Sequence, residues 1–283
     1  MDARPTEVGE GLSRDEVRHV KEARRPRAAV VYEIVRTEGE AELIRPVSAL
    51  WWSGIAAGMS IGFSFLTEAV LAAHLPPSGW SSIIAKTGYA VGFVIVILGR
   101  QQLFTENVMT AVLPVISRRK LAWLLRMLRL WAVVLIANVV GCFFFAAALT
   151  TLPIVEQPVA DQLGVTVSRL MAHEPLGMFA KGILVGWIIA SLVWMLAASE
   201  TMHFLIVATL AYTIALLGFT HVVAGSVVAI YGLLNGLCTT QEAIFTFFLP
   251  NLAGNIVGGT LLFALLSYAQ VSEEVTATRR ADP

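Results

Sequence analysis

The stretch Leu217-Gly218-Phe219-Thr220-His221-Val222-Val223-Ala224-Gly225 sets a histidine in the middle of an apolar run. That run extends from about His203 to Leu234, and a transmembrane helix needs only roughly 20 such residues. The surplus length leaves room for a break, which Gly218 and Gly225 on either side of the histidine are placed to supply. An ionisable group at membrane depth is costly and usually faces a protein interior or a water path. His221 is therefore either a functional group or a neutral histidine bonded across helices.

Composition agrees with a membrane setting. The chain is 57% hydrophobic and 14% charged, with a mean hydropathy of +0.73, whereas soluble domains carry about 25% charged residues. Net charge is zero and the basic residues crowd into the tails and one loop, so no field points to nucleic acid and none is expected as a partner. Cys142 and Cys238 lack metal or disulfide spacing and read as buried free thiols. The sequence offers no phosphate-binding glycine loop, no nucleophile beside a base and no metal constellation. Neither an enzyme nor a cofactor is expected.

Six apolar segments, at 47–75, 87–116, 121–149, 176–198, 203–234 and 243–268, are each long enough to span. The fold class is all-α, a polytopic membrane domain over 46–270 between a charged tail at 1–45 and a short tail at 271–283. The first tail has no apolar h-region, so no cleavable signal is expected. Its stretch from Ala28 to Ile44 carries Val31, Ile34 and Val35 on one side, which suits either an interfacial helix or a solvated tail. The connection at 150–175, with Pro153, Glu156, Pro158 and Asp161, is too polar to span and splits the chain into halves of three helices.

Basic residues set the orientation. Lys21, Arg24, Arg25 and Arg27, the Arg118-Arg119-Lys120 loop with Arg126 and Arg129, and Arg279-Arg280 fall on one side. Lys86, Arg169 and Lys181 fall on the other. The positive-inside rule puts both termini in the cytoplasm, with Trp51, Trp52 and Trp123 at the inner interface among the lipid headgroups.

The halves repeat one another. Asn138-Val-Val-Gly141 matches Asn255-Ile-Val-Gly258, Gly54-Ile-Ala-Ala-Gly58 matches Gly182-Ile-Leu-Val-Gly186, and Phe104-Thr105-Glu106 matches Phe219-Thr220-His221. Three helices per half force opposite orientations, and inverted repeats of that type set the site near the midplane between discontinuous helices. This alignment makes Glu106 and His221 pseudo-symmetry mates. The Gly54, Gly58, Gly62, Gly254 and Gly258 spacing is a close-packing signal of the small-xxx-small kind.

Taken together, Gln102-Leu-Phe-Thr-Glu-Asn-Val-Met-Thr110, Lys181-Gly-Ile-Leu, Gly218-Phe-Thr-His221 and Asn251-Leu-Ala-Gly-Asn-Ile-Val-Gly-Gly259 resemble the formate/nitrite transporter family over about 47–268. Arg100, Gln102 and Glu106 make the second-segment motif most similar to its divergent YfdC-like branch. The resemblance implies a homopentamer of aquaporin-like protomers in a bacterial inner membrane, with broken second and fifth helices and a pore in each protomer for small monovalent anions or their acids. It assigns the pore histidine to His221, its threonine partner to Thr105, the constriction to Leu103, Phe104 and Phe219, and the vestibule lysine to Lys181. Three positions depart from the family pattern: Gly186 and Gly225 stand where asparagine is common, and Thr220 where glutamate is common.

Moving a bare anion through a dry constriction costs on the order of tens of kcal/mol, while protonating a weak acid at neutral pH costs about 4 kcal/mol. Neutralisation is the cheaper route, and His221 is the group in the pore that titrates near neutrality. Glu106 and Arg100 are the complication, since either charge alone is expensive in a span. They form an ion pair, or Glu106 lines the pore and turns its selectivity toward cations. Without glycine or proline between Arg100 and Thr110, Asn107 is the candidate cap for a break in this segment. His19, His74, His173 and His203 read as surface or interfacial, and Glu68 faces a vestibule or an interface. Three functions fit: a pH-responsive channel or transporter for small anions or weak acids that exchanges protons, a pore passing cations or neutral solutes, and a non-conducting scaffold.

Overall fold

Pro46, which supplies no backbone N–H and fixes φ, separates the first two helices. In the computed structural model the described residues are 12, 13, 15, 16, 26–199 and 201–281, without the side chains of 274–281. His19, Lys21, Arg24 and Arg25 of the tail, and the Arg279 and Arg280 side chains, lie outside them. Every regular element among the described residues is helical.

Helix α1 (Ala28–Ile44) buries Val31, Tyr32, Val35, Gly39 and Leu43, a stripe at helical spacing. Ile34 is off that stripe and 38% exposed, so it does not share a face with Val31 and Val35 as expected. Arg129 ties down the end of α1 by donating to the carbonyls of Leu43 at 2.9 Å and Arg45 at 3.3 Å. Glu40 joins Arg36 of the same helix to Arg118, which lies far along the chain.

Among the described residues, five helical stretches are long and apolar enough to cross a membrane: Val47–His74, Ser81–Leu98, Leu121–Thr151, Pro175–Ala197 and Glu242–Glu273. The first, third and fourth are helices α2, α7 and α9. The second expected segment begins earlier than read and is divided. It contains α3 (Ser81–Ala85), a tight turn at Lys86–Gly88, α4 (Tyr89–Leu98), α5 (Phe104–Thr110) and α6 (Val112–Arg118). The fifth expected segment is two shorter helices, α10 (His203–Leu216) and α11 (Val222–Leu234). Both interruptions contain a left-handed residue, Arg100 at φ 50° and Gly218 at φ 64°. Neither Asn107 nor Gly225 marks a break. Asn107 is inside α5, where its amide donates to Gln102 Oε1 at 2.9 Å, and Gly225 is inside α11.

The polar connection at 150–175 contains α8 (Gln157–Met171), which buries Val159, Leu163, Val167 and Leu170 on one face. The last apolar segment carries α12 (Leu249–Val257) between two π-helical stretches, Glu242–Phe248 and Gly258–Ala264, and continues as α13 (Leu265–Ala281), past the expected limit at 268.

Glycine sets how close the long helices come. A Cβ on Gly58 would stand 2.1 Å from the Asn138 carbonyl oxygen, and one on Gly141 2.2 Å from that of Ile55, where α2 crosses α7. At the α9–α12 crossing, a Cβ on Gly186 would stand 2.3 Å from the Asn255 carbonyl oxygen. Gly186 is therefore a crossing point of backbones, with no room for a larger side chain.

Candidate functional site: a sealed histidine beneath an ionisable cavity

Two helix starts are built alike. Leu103, before α5, has φ −100° and ψ 127°, and His221, before α11, has φ −101° and ψ 128°. Phe104 N–H donates to Asn138 Oδ1 at 2.9 Å, and Val222 N–H donates to Asn255 Oδ1 at 3.1 Å. Asn138 Nδ2 donates to the carbonyls of Gly54 (2.9 Å) and Gln102 (2.8 Å), and Asn255 Nδ2 to those of Gly182 (3.0 Å) and Thr220 (3.4 Å).

These bonds correct one expectation. They pair Leu103 with His221, and carrying the same register onward pairs Glu106 with Ala224. The repeated Phe-Thr letters misled the alignment by three places, because backbone bonds and not side-chain identity define the equivalence.

His221 is 1% exposed. Its Nδ1 accepts from Ala224 N–H at 3.2 Å, which leaves the proton of a neutral ring on Nε2, 2.6 Å from Thr105 Oγ1. The two helix starts are thus joined by one side-chain bond. The Phe93 ring meets the imidazole edge-on at 5.0 Å between centroids.

Above the histidine opens a cavity of about 160 Å³ whose wall includes Glu68, Lys86, Arg169, His173, Thr220 and His221. Phe219 is also on this wall, whereas Leu103, Phe104 and Thr105 are buried away from it. Thr220, 7% exposed, has a hydroxyl with no hydrogen-bond partner. Lys181 is not on the wall and stands behind it, with its Nζ 3.0 Å from His173 Nε2. Burial, and secondarily the Lys181 ammonium, hold the His173 imidazole below the usual histidine range. The ammonium therefore donates to a neutral ring.

Glu106 is not on the cavity wall, and the charges that bear on it are Glu42, Glu38 and Arg100. Ion pairs among the described residues involve Arg36, Arg45 and Arg118, and none joins Arg100 to Glu106. Sequence reasoning used Lys86 and Arg169 for orientation alone and set His173 aside as interfacial. A signal for Arg169 was present in the spacing of Val159, Leu163 and Val167, which marks α8 as amphipathic.

The family model described as formate/nitrite transporter matches residues 29–269. The chain belongs to the formate/nitrite transporter family. Members of that family are channels and transporters rather than enzymes. Within it, the chain is 40% identical over 256 residues to the inner membrane protein YfdC of Escherichia coli, covering 90% of this chain and 83% of that protein. It is 27% identical over 239 residues to the formate channel FocA of Haemophilus influenzae, covering 74% of this chain and 82% of that one. Two solved structures share the fold. An FNT family ion channel superposes with a TM-score of 0.70 at 20% identity, covering 86% of this chain and 96% of that one. A pentameric formate channel with formate bound gives 0.67 at 20% identity, over 79% and 96%.

Proposed function

We propose that this protein is a pH-responsive channel or transporter for small monovalent anions or their weak acids. It works as a homopentamer in a bacterial inner membrane, with both termini cytoplasmic. Each protomer holds six spans as two inverted three-helix repeats, about 46–150 and 175–270, with the second and fifth spans broken at Leu103 and His221. Thr105 and His221 form the junction of the pore and its proton relay, Leu103, Phe104 and Phe219 its apolar constriction, and Lys181 its outer attraction for anions.

One observation carries this reading: the Thr105–His221 bond of 2.6 Å joins the two helix starts directly below a cavity bearing Lys86 and Arg169. Cations at the mouth gather anions, and a buried apolar junction beyond them favours passage as the neutral acid. The family membership, the FocA and YfdC relatives and the pentameric neighbour support the substrate class, the assembly and the inner-membrane location.

A second reading follows from Glu106, whose charge influences include the carboxylates of Glu42 and Glu38. An acidic approach of that kind favours cations. Purified protein in liposomes, assayed across pH with formate, chloride, potassium and glycerol, separates the two. Formate uptake that rises as pH falls supports the acid pathway, and potassium conductance without formate uptake overturns it.

A further inference from the structure

The cavity above His221 holds an acid and several bases, none of them joined in a contact ion pair among the described residues. Glu68 projects from α2 onto the cavity wall and makes no hydrogen bond or ion pair among the described residues. Lys86 reaches the cavity from the turn before α4 and donates to the Ala215 carbonyl at 2.5 Å. Arg169 reaches it from α8, His173 from the loop beyond α8, Tyr89 from α4 and His221 from the start of α11. Helix α7, which also packs on α2, adds no titratable side chain to the wall.

His221, by contrast, has both ring nitrogens committed, Nε2 to Thr105 and Nδ1 to the Ala224 N–H. The Nε2 proton points at Thr105, so His221 relays a proton along that bond rather than giving it directly to a solute in the cavity. Glu68 is an acid on this wall with no hydrogen bond or ion pair among the described residues, and the same wall carries the Thr220 hydroxyl, which also lacks a partner among them.

We propose that Glu68 is the proton donor of the outer cavity, passing its proton to a small monocarboxylate held by Lys86 and Arg169 before the neutral acid moves past His221. In the step, the O–H bond of the Glu68 carboxylic acid breaks and an O–H bond forms on the substrate carboxylate. Glu68 is left ionised and recovers a proton from water on the open side of the cavity. The bond broken and the bond formed are both carboxylic O–H bonds, so transfer between the two groups is close to balanced. The proposal rests on the anion-transport reading above.

The test uses the full-length protein in liposomes, with formate as the probe and internal acidification as the readout. Glu68→Gln keeps the side-chain shape and breaks no bond in the fold. It is expected to slow formate-driven acidification about tenfold at pH 7 and to recover as the pH is lowered to 5, where bulk water supplies more neutral acid. Glu68→Asp is expected to fall between wild type and Glu68→Gln at pH 7. A Glu68→Gln variant with the wild-type rate and pH profile overturns the role of Glu68 and leaves the transport reading standing. So does a variant equally slow at every pH with no rescue by Glu68→Asp. A wild-type protein that moves no formate overturns both readings.

Discussion

Asn138 and Asn255 stand in different halves of the chain and make the same three-way bond. Each side-chain carbonyl takes the first N–H of a helix, and each amide holds one carbonyl of a crossing helix and one of the preceding loop. Both side chains are buried, so water cannot replace the lost partners.

Asn138→Ala and Asn255→Ala are therefore each expected to destabilise the protein strongly, by about 3 kcal/mol or more, since every orphaned buried group costs about 1–3 kcal/mol. Thermal unfolding in detergent measures the loss. An alanine variant as stable as wild type at either position would show that its helix start is held by something else.

Opposite signs are expected at the two left-handed residues. Arg100 adopts φ 50° with a Cβ, while Gly218 adopts φ 64° without one. Arg100→Gly should be neutral to stabilising, and Gly218→Ala should cost about 1 kcal/mol, because only glycine enters that region without steric cost. The comparison is made on melting temperature, and a gain on Gly218→Ala counts against the assigned backbone.

Phe247 fills the space beside Gly225, where a Cβ would come 2.5 Å from the ring. Gly225→Asn should lower the yield of folded protein, and Phe247→Ala should recover it in the double variant. A double-mutant cycle should give a coupling of about 1 kcal/mol or more, as is usual for residues in contact. Additive effects would mean that the ring is free to move aside.

For His221 the readout is the shape of the pH profile. His221→Phe should flatten the pH dependence of flux in a protein that keeps the wild-type assembly, and His221→Asn should leave a leak that does not respond to pH. A profile unchanged in His221→Phe would end the proton-relay reading. Glu106→Gln is the matched control and should leave the profile in place, since Glu106 lies off the cavity wall.

The docking of α1 has its own acid limit. The Arg36 side chain, chiefly through its hydrogen bonds, holds the Glu33 carboxyl below the usual range, and Arg118 does the same for Glu40. A carboxylate with a depressed folded pKa contributes stability above its unfolded value, about 4.3, and loses it as pH falls through the folded one. Cleavage of α1 by a protease should therefore be constant from pH 7 to 5 and rise below about pH 4. Arg118→Ala should show faster cleavage already at pH 7.

The long spans were legible because apolar length is a one-dimensional property, and the ends of α2, α7 and α9 fall within a few residues of those read from hydropathy. His221 was legible for the same reason, as a titratable residue in an apolar run. The fifth segment's break could be expected from Gly218. That of the second could not be expected from composition, because arginine seldom takes a positive φ and Arg100 looked like a charge to be paired. The cavity was hidden because its wall comes from α2, α4, α8 and the loop before α11, which are distant in sequence. Helix α8 was taken for a linker since its polar face outweighs its buried stripe in any average.

The equivalence of Leu103 and His221 bears on the direction of travel. If the halves are inverted copies, a solute entering from either side meets the same backbone scaffold in the same order. The occupants differ, with a hydrocarbon at one scaffold and an imidazole at the other, and the cavity bearing Glu68 opens over the imidazole. Inward and outward crossings are then not mirror images. Raising acidity on one face should not have the effect of raising it on the other, and a pH gradient should act on this protein as a polarity as well as a driving force.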